Sequence, residues 1–285
     1  MARMKISSIV FLFLAIICFS AYFTEFEDLT YVVLDFMEKS KSFLYISSYS
    51  IDKIEIVEKI NKLFKKGIDV RVILEVPNSS LKCSVLKDYE YTLHHAKFMV
   101  NDNGMLFGSA NFTESGLVTG FNDIVIFDNY SRDFKKLFLN LWNDGRVVSI
   151  ENFLIVGYDD VESELLKLLM SAKRKIYACV YAFTNQKIFA MLKFKESKGV
   201  DVKIITDNWF ERYGLFNFPI RNIKIIKDRM LHHKFVIVDD YVFLGSANFT
   251  RKGLNENYEI CYISKKLTKE YMEVFNFLWR RESGD

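Results

Sequence analysis

The 285-residue sequence predicts an α/β protein made of two tandem α/β/α sandwich repeats that form a pseudo-twofold pseudo-dimer. Three observations lead to that fold class. The hexapeptide GSANFT stands at 108–113 and again 137 residues later at 245–250, and an HxK pair recurs at the same interval, as His95 with Lys97 and His232 with Lys234. Asp102 and Asp239, and far downstream Trp142 and Trp279, keep the same spacing. Upstream, YISSYSI from Tyr45 matches YACVYAF from Tyr177, and GIDVRVIL from Gly67 matches GVDVKIIT from Gly199, both displaced by 132 residues. Identical words at so long a period mark a duplication, each copy being half of one body, and not the turns of a solenoid.

Within each copy the hydrophobic period alternates between helix and strand. Residues 29–42 and 161–175 place Val33, Leu34 and Met37, or Leu165, Leu166 and Leu169, at helical spacing. A strand follows (FLYISSYSI or IYACVYAF), then a second helix over 53–66 or 186–198, closed by Gly67 or Gly199 as helix C-termini prefer. DVRVILEV and DVKIITD are apolar and β-branched, as strands covered on both faces are. KFMVND with MLFGSA, and KFVIVDD with VFLGSA, read as hairpins turning at Asp102 and Asp239. Ser131 and Thr268 stand where N-caps of the last helices belong.

Half the residues are apolar and only two are proline, which supports a sizeable core and excludes disordered and collagen-like classes. A net charge of +3 is too small to announce a nucleic-acid binder. Arg3 and Lys5, the apolar run from Ile9 to Phe19 continued by Ala21, Tyr22 and Phe23, and then Glu25, Glu27 and Asp28, have the order of a membrane-targeting segment. The reading is a signal anchor or signal peptide over 1–24, with repeats at 25–148 and 149–285 held outside the cytosol, membrane-anchored or secreted. Cys83, Cys179 and Cys261 lack metal-ligand spacing and predict no disulfide framework.

The chemistry concentrates in the repeated motifs. A phosphodiester repels nucleophiles, so a site must neutralise its oxygens and supply both an attacking atom and a proton for the departing oxygen. Lys97 and Lys234 suit the first task, and Ser109, Asn111, Ser246 and Asn248 add neutral donors. His95 and His232 lie two residues before a lysine and share its face in an extended chain, so one neutral imidazole can attack phosphorus while an imidazolium protonates the leaving group. His94 and His233 face the other way and read as structural. Neither a metal nor another cofactor is required.

HAKFMVND with GSAN, and HHKFVIVD with GSAN, resemble the HKD motifs of the phospholipase D superfamily, and the likeness runs from about residue 27 to the C-terminus. The resemblance implies a metal-independent phosphodiesterase with a phosphohistidine intermediate, His95 attacking and His232 serving as acid. Glu259, 27 residues beyond His232, matches the family carboxylate that orients an imidazole; the same count from His95 reaches Asn122, with Asp123 beside it. Either a slip brings Asp123 inward or His95 lacks an anionic partner, which would suit a nucleophile that starts neutral. Asp102 and Asp239 close the motif at turns and read as structural.

Substrate choice falls to loops. The surplus of copy two lies between DVKIIT and His232, where Trp209, Phe216 and Phe218 stand beside Arg221, Lys224 and Arg229. Aromatics among cations suit single-stranded DNA or RNA, or an anionic phospholipid headgroup. The compact two-copy chain resembles the small endonuclease branch, which makes a nuclease-like phosphodiesterase the first reading; the anchor favours the alternative, a phospholipase or phosphatidyl transferase of the cardiolipin type, and an inactive nucleic-acid- or membrane-binding protein is the third. A monomeric pseudo-dimer is expected.

Overall fold

The computed structural model of the chain describes residues 19–88, 92–213 and 221–281. The first copy runs β1 (Phe19–Phe23), α1 (Leu29–Glu38), β2 (Phe43–Ser48), α2 (Ile54–Lys65), β3 (Asp69–Leu74), β4 (Ser84–Lys87), β5 (Phe98–Asn101), β6 (Gly104–Gly108), a π-helical turn (Ser115–Thr119), β7 (Asp123–Phe127) and α3 (Ser131–Asp144). The second repeats it: β8 (Phe153–Ile155), α4 (Val161–Ser171), β9 (Lys175–Val180), α5 (Gln186–Ser197), β10 (Asp201–Asp207), α6 (Trp209–Tyr213), β11 (Ile223–Ile226), β12 (Lys234–Val238), β13 (Tyr241–Gly245), α7 (Arg251–Asn255), β14 (Ile260–Ser264) and α8 (Thr268–Arg280).

Each copy builds one sheet of seven described strands, ordered β1-β7-β6-β5-β2-β3-β4 and, read in the matching sense, β8-β14-β13-β12-β9-β10-β11. The strands β2 and β9 run parallel to β3 and β10 and antiparallel to β5 and β12. This places both HxK segments at the carboxyl ends of the parallel pairs, where α/β sheets gather their ligands. Helices α1 and α2, or α4 and α5, cover one face of each sheet through separate apolar clusters. Between the sheets lies a third cluster that draws on both copies and on α3 and α8. In it Phe107, Phe153 and Tyr262 meet at 5.4 and 4.8 Å, and burying each such ring is worth about 1.5–3 kcal/mol.

The repeated tryptophans are explained by stacking. Tyr45 lies 4.8 Å from Phe138, which lies 5.8 Å from Trp142; Tyr177, Phe275 and Trp279 repeat both distances. The motif aspartates are spent on backbone amides. Asp102 accepts from the amides of Lys41 and Ser42 at 2.8 Å, Asp239 from those of Lys173, Arg174 and Lys175 at 2.8–3.0 Å, and each thereby ties its hairpin to the start of β2 or β9. Ser131 and Thr268 prove to be the first helical residues, and their hydroxyls donate to Asn101 and Asp240 carbonyls instead of capping their own helices.

One boundary is corrected. Residues 19–23, expected within a membrane segment, form β1, which pairs with β7 in antiparallel register from Phe19–Phe127 to Phe23–Asp123. The first repeat therefore begins at least at Phe19, and β1 is the counterpart of β8. Its aromatic residues Phe19, Tyr22 and Phe23 serve a strand as well as they serve an apolar run, which is why hydropathy misassigned it. Residues 1–18 lie outside the described residues, and among those described no helix is long and apolar enough to cross a membrane.

Candidate active site

The two HxK motifs form one site because each copy threads into the other. The segment before β5 meets the segment before β14: His95 and Ala96 both donate their amides to the Tyr258 carbonyl, at 3.0 and 2.8 Å. The segment before β12 meets the segment before β7 in the same manner, His232 donating to the Phe121 carbonyl at 2.9 Å. Isolated bridges between His94 and Tyr258 and between Phe121 and Leu231 complete the exchange.

These crossings decide which side chain orients which imidazole, and the expectation of pairing within a copy is corrected. Glu259 does not hold His232. Both of its oxygens approach His95 Nδ1, at 2.9 and 3.0 Å, while Asn122 Oδ1 lies 2.9 Å from His232 Nδ1. His95 thus has the anionic partner and His232 a neutral one. No register slip brings Asp123 to His95; Asp123 Oδ1 lies 2.8 Å from His233 Nδ1.

Ser109 and Ser246 support these orienting groups. Ser246 Oγ donates to Glu259 at 2.5 Å, and Ser109 Oγ donates to Asp123 at 2.9 Å and reaches Asn122 at 3.2 Å. Their glycine neighbours permit this: a Cβ at Gly108 would collide with the Asp123 carbonyl, and one at Gly245 with that of Ile260. Asn111 and Asn248 are half-buried, and each has a side-chain oxygen without a hydrogen-bond partner among the described residues. Those oxygens can only accept, so a hydrogen bond from these equivalent residues to an incoming anion would have to come from their Nδ2 groups.

Lys97 and Lys234 are 2% and 1% exposed, and each ammonium donates to the carbonyl of the histidine two residues before it. Burial lowers the Lys97 pKa to about 7 despite Glu259, and burial together with the charge of Lys97 pushes Lys234 well down. Burial and the neighbouring lysine also depress His95, to about 4, although Glu259 works the other way. His232 falls well below its ordinary value through burial, the two lysines, His95 and His233. Burial is the leading cause in all four groups, and for His95, His232 and Lys234 the neighbouring lysines add to it, so a negative charge brought among them would be favoured.

Carboxylates at the ends of β3 and β10 hold the approach to each motif. Glu75 accepts the His94 amide and Asp207 the Leu231 amide, both at 2.9 Å. Asp207 also accepts from Trp209 at 2.8 Å. Tyr49 and Tyr181, equivalent residues that sequence reasoning did not single out, place half-buried rings 5.9 Å from His95 and 5.2 Å from His232. The aligned repeat YISSYSI and YACVYAF carried the signal for them.

The expected substrate lip is largely dismantled. Trp209 does lie beside the site, its ring 6.1 Å from Tyr181. Lys224, however, donates to the carbonyls of Trp279, at 3.0 Å, and Arg281, so it caps the end of α8. Arg221 precedes β11 beside Glu196 and Gly199, at the opposite end of the sheet from His232. Arg229 spends its guanidinium on the Val118, Thr119 and Gly120 carbonyls of the first copy and covers Phe121 at 4.3 Å. Phe216 and Phe218 lie outside the described residues.

Fold and site together define a duplicated α/β scaffold with a single anion-receiving centre, to which each half contributes one histidine, one lysine and the orienting group of the other half. A family profile described as "Cardiolipin synthase, PLD-like domain" matches residues 33–142 and 165–279, and the chain belongs to that family, within the phospholipase D superfamily. Over 131 residues it is 33% identical to a mitochondrial cardiolipin hydrolase of Xenopus tropicalis, covering 43% of this chain and 62% of that protein. The chain therefore spans only about three-fifths of that relative. A polyphosphate kinase from Porphyromonas gingivalis shares the fold at a TM-score of 0.73 with 15% identity, over 92% of this chain and 47% of that one. A phosphatidylserine synthase from Haemophilus influenzae shares it at 0.63 with 12% identity, over 91% and 86%.

Proposed function

We propose that the chain is a phosphodiesterase that works through a phosphohistidine, with anionic phospholipid of the cardiolipin kind as its substrate. The observation that carries the reaction is the crossed pairing of His95 with Glu259 and His232 with Asn122 around two buried lysines. With each Nδ1 engaged, each Nε2 is the nitrogen left to react. The bound phosphodiester anion offsets the two lysines that depress His232 and lets its Nε2 take up a proton from solvent. His95 Nε2 then attacks phosphorus, forming the N–P bond, and the P–O bond to the leaving alcohol breaks as His232 Nε2 delivers that proton to the departing oxygen. His232 then takes a proton from water, whose oxygen attacks phosphorus and releases His95. The anion of Glu259 steadies the positive charge that the phosphorylated imidazole of His95 carries, whereas the neutral amide of Asn122 leaves His232 free to lose its proton. Lys97 and Lys234 neutralise the phosphoryl oxygens.

One point supports a lipid over a nucleic acid: the curated relatives are named for cardiolipin hydrolysis. The cations expected to receive either a polynucleotide or an anionic headgroup are committed to carbonyls or stand at the far end of the sheet, which counts against both uses of that segment alike. The basic and apolar sequence before residue 19 would hold the site at a bilayer and the repeats outside the cytosol. The aromatic rings of Tyr49, Tyr181 and Trp209 favour the nucleic-acid alternative, since bases stack on such rings. The deciding assay incubates the full chain in chelator with cardiolipin, phosphatidylcholine, single-stranded DNA and RNA. Cleavage of DNA or RNA with cardiolipin untouched would overturn the lipid reading. Failure to trap phosphohistidine on His95 in a His232→Ala variant given a substrate with a good leaving group would overturn the mechanism.

A further inference from the structure

His233 replaces Ala96 of the first copy, and around it sits a buried polar cluster that the first copy lacks. Its ring is 0% exposed, with Nδ1 2.8 Å from Asp123 Oδ1 and Nε2 2.8 Å from Glu25 Oε1. Two carboxylate acceptors, one on each nitrogen, require both nitrogens to carry protons. The partners come from three other elements: Glu25 follows β1, Asp123 opens β7, and Tyr271 of α8 donates to Asp123 Oδ2 at 2.9 Å. Glu25 is itself fully buried, and its second oxygen has no hydrogen-bond partner among the described residues. The other titratable groups facing this cluster are its chain neighbours His232 and Lys234, at the start of β12, the Cys179 thiol on β9, and Arg229. Burial works against a charge on His233, but Glu25 and Asp123 outweigh it and hold the imidazole at about 9.

We infer that His233 is a fixed imidazolium, clamped by Glu25 and Asp123, and that it is a positioning residue which makes His232 a weaker base than a histidine oriented by Asn122 alone. Two routes reach His232. His233 is the next residue along the chain and repels a second positive charge. Asp123, which the clamp immobilises, shares the Ser109 hydroxyl with Asn122, the residue bound to His232 Nδ1. The chemical consequence is a proton that leaves His232 readily once substrate supplies the leaving oxygen. This role rests on the reading of His232 as the proton donor, but its test does not.

The test is nuclear magnetic resonance of the imidazole nitrogens and carbons in the full chain without substrate. Both ring nitrogens of His233 should be protonated at pH 7.5, and a neutral tautomer there would overturn the inference. In His233→Gln the titration of His232 should move up by about one pH unit or more, because one of the like charges that depress it is gone and the carboxylates that faced it remain. If the two stranded carboxylates prevent folding, the double variant Glu25→Gln with His233→Gln removes one of them and should show the same upward shift. An unmoved His232 in a folded variant would reduce His233 to packing. In turnover, the pH-rate limb belonging to His232 should shift in the same direction while KM at low pH stays within about threefold. Loss of phosphohistidine trapping with the titration shifted as expected would instead count against the phosphodiesterase reading.

Discussion

His95 and His232 occupy equivalent places in two copies of one fold, and the backbone around them is duplicated down to the amide that each donates to the opposite copy. The charge around them is not duplicated. His95 faces the carboxylate of Glu259, whereas His232 faces the amide of Asn122 and has a doubly clamped histidine next to it. The difference teaches how a symmetric scaffold can be made chemically unequal. A pseudo-twofold axis brings the parts together, and a few substitutions in the orienting shell put one histidine beside an anion and the other beside a neutral amide, which under the proposed mechanism divides the carrying of phosphorus from the carrying of a proton.

The comparison breaks most completely at the histidines themselves. His95→Ala should lower steady-state phosphodiesterase turnover by roughly three orders of magnitude or more, measured on a small chromogenic diester, and a variant that retains near-normal turnover would remove His95 as nucleophile. Glu259→Gln makes the two sides alike by taking away the one carboxylate bound to His95. A loss of about 10–100-fold in kcat is expected, read with KM to show that binding persists, whereas Asn122→Asp should cost less and move the His232 limb to higher pH.

The pH profile sharpens the same contrast. Anion binding requires a charged Lys97, whose pKa in the free protein is about 7, so kcat/KM should fall as pH rises through that value. On the acid side, protonation of His95 near about 4 removes the attacking lone pair, and kcat/KM should fall again. A profile flat from 5 to 10 would contradict both assignments. The smallest effects belong to the symmetric pair Asp102 and Asp239. Each alanine variant should lower stability by about 2 kcal/mol by urea unfolding and leave kcat nearly unchanged. The carboxyl of Asp102, held at about 2 by the amides and hydroxyl it accepts, contributes stability that is full above the usual carboxylate range and lost as pH falls toward about 2.

Much of this was legible in the sequence. The duplication shows directly in the repeated words, and the inward phase of both HxK motifs, the turn aspartates and the helix-ending glycines follow from local pattern, because each of these depends on neighbours within a few residues. What was not legible depends on exchange between copies. Counting 27 residues from His232 finds the right carboxylate, yet assigns it to the wrong histidine, since the segment before β14 that bears Glu259 reaches across to the first copy. The lip failed for a related reason: Arg221 and Lys224 are close to His232 in sequence, but the chain runs back down the sheet before β11, and proximity along the chain is lost.

The pairing of β1 with β7 also bears on how this protein can be handled. All five residues of β1 register with β7, so a fragment begun at residue 25, where hydropathy alone would cut, leaves the outer backbone groups of β7 unsatisfied. Such an exposed row invites a second chain to dock strand against strand, and the fragment should self-associate as concentration rises. A fragment begun at Phe19 keeps that row covered and, with Glu25 still delivered to His233, keeps the buried charge under the site as well. Soluble-enzyme work on this chain therefore starts six residues earlier than its apolar profile suggests.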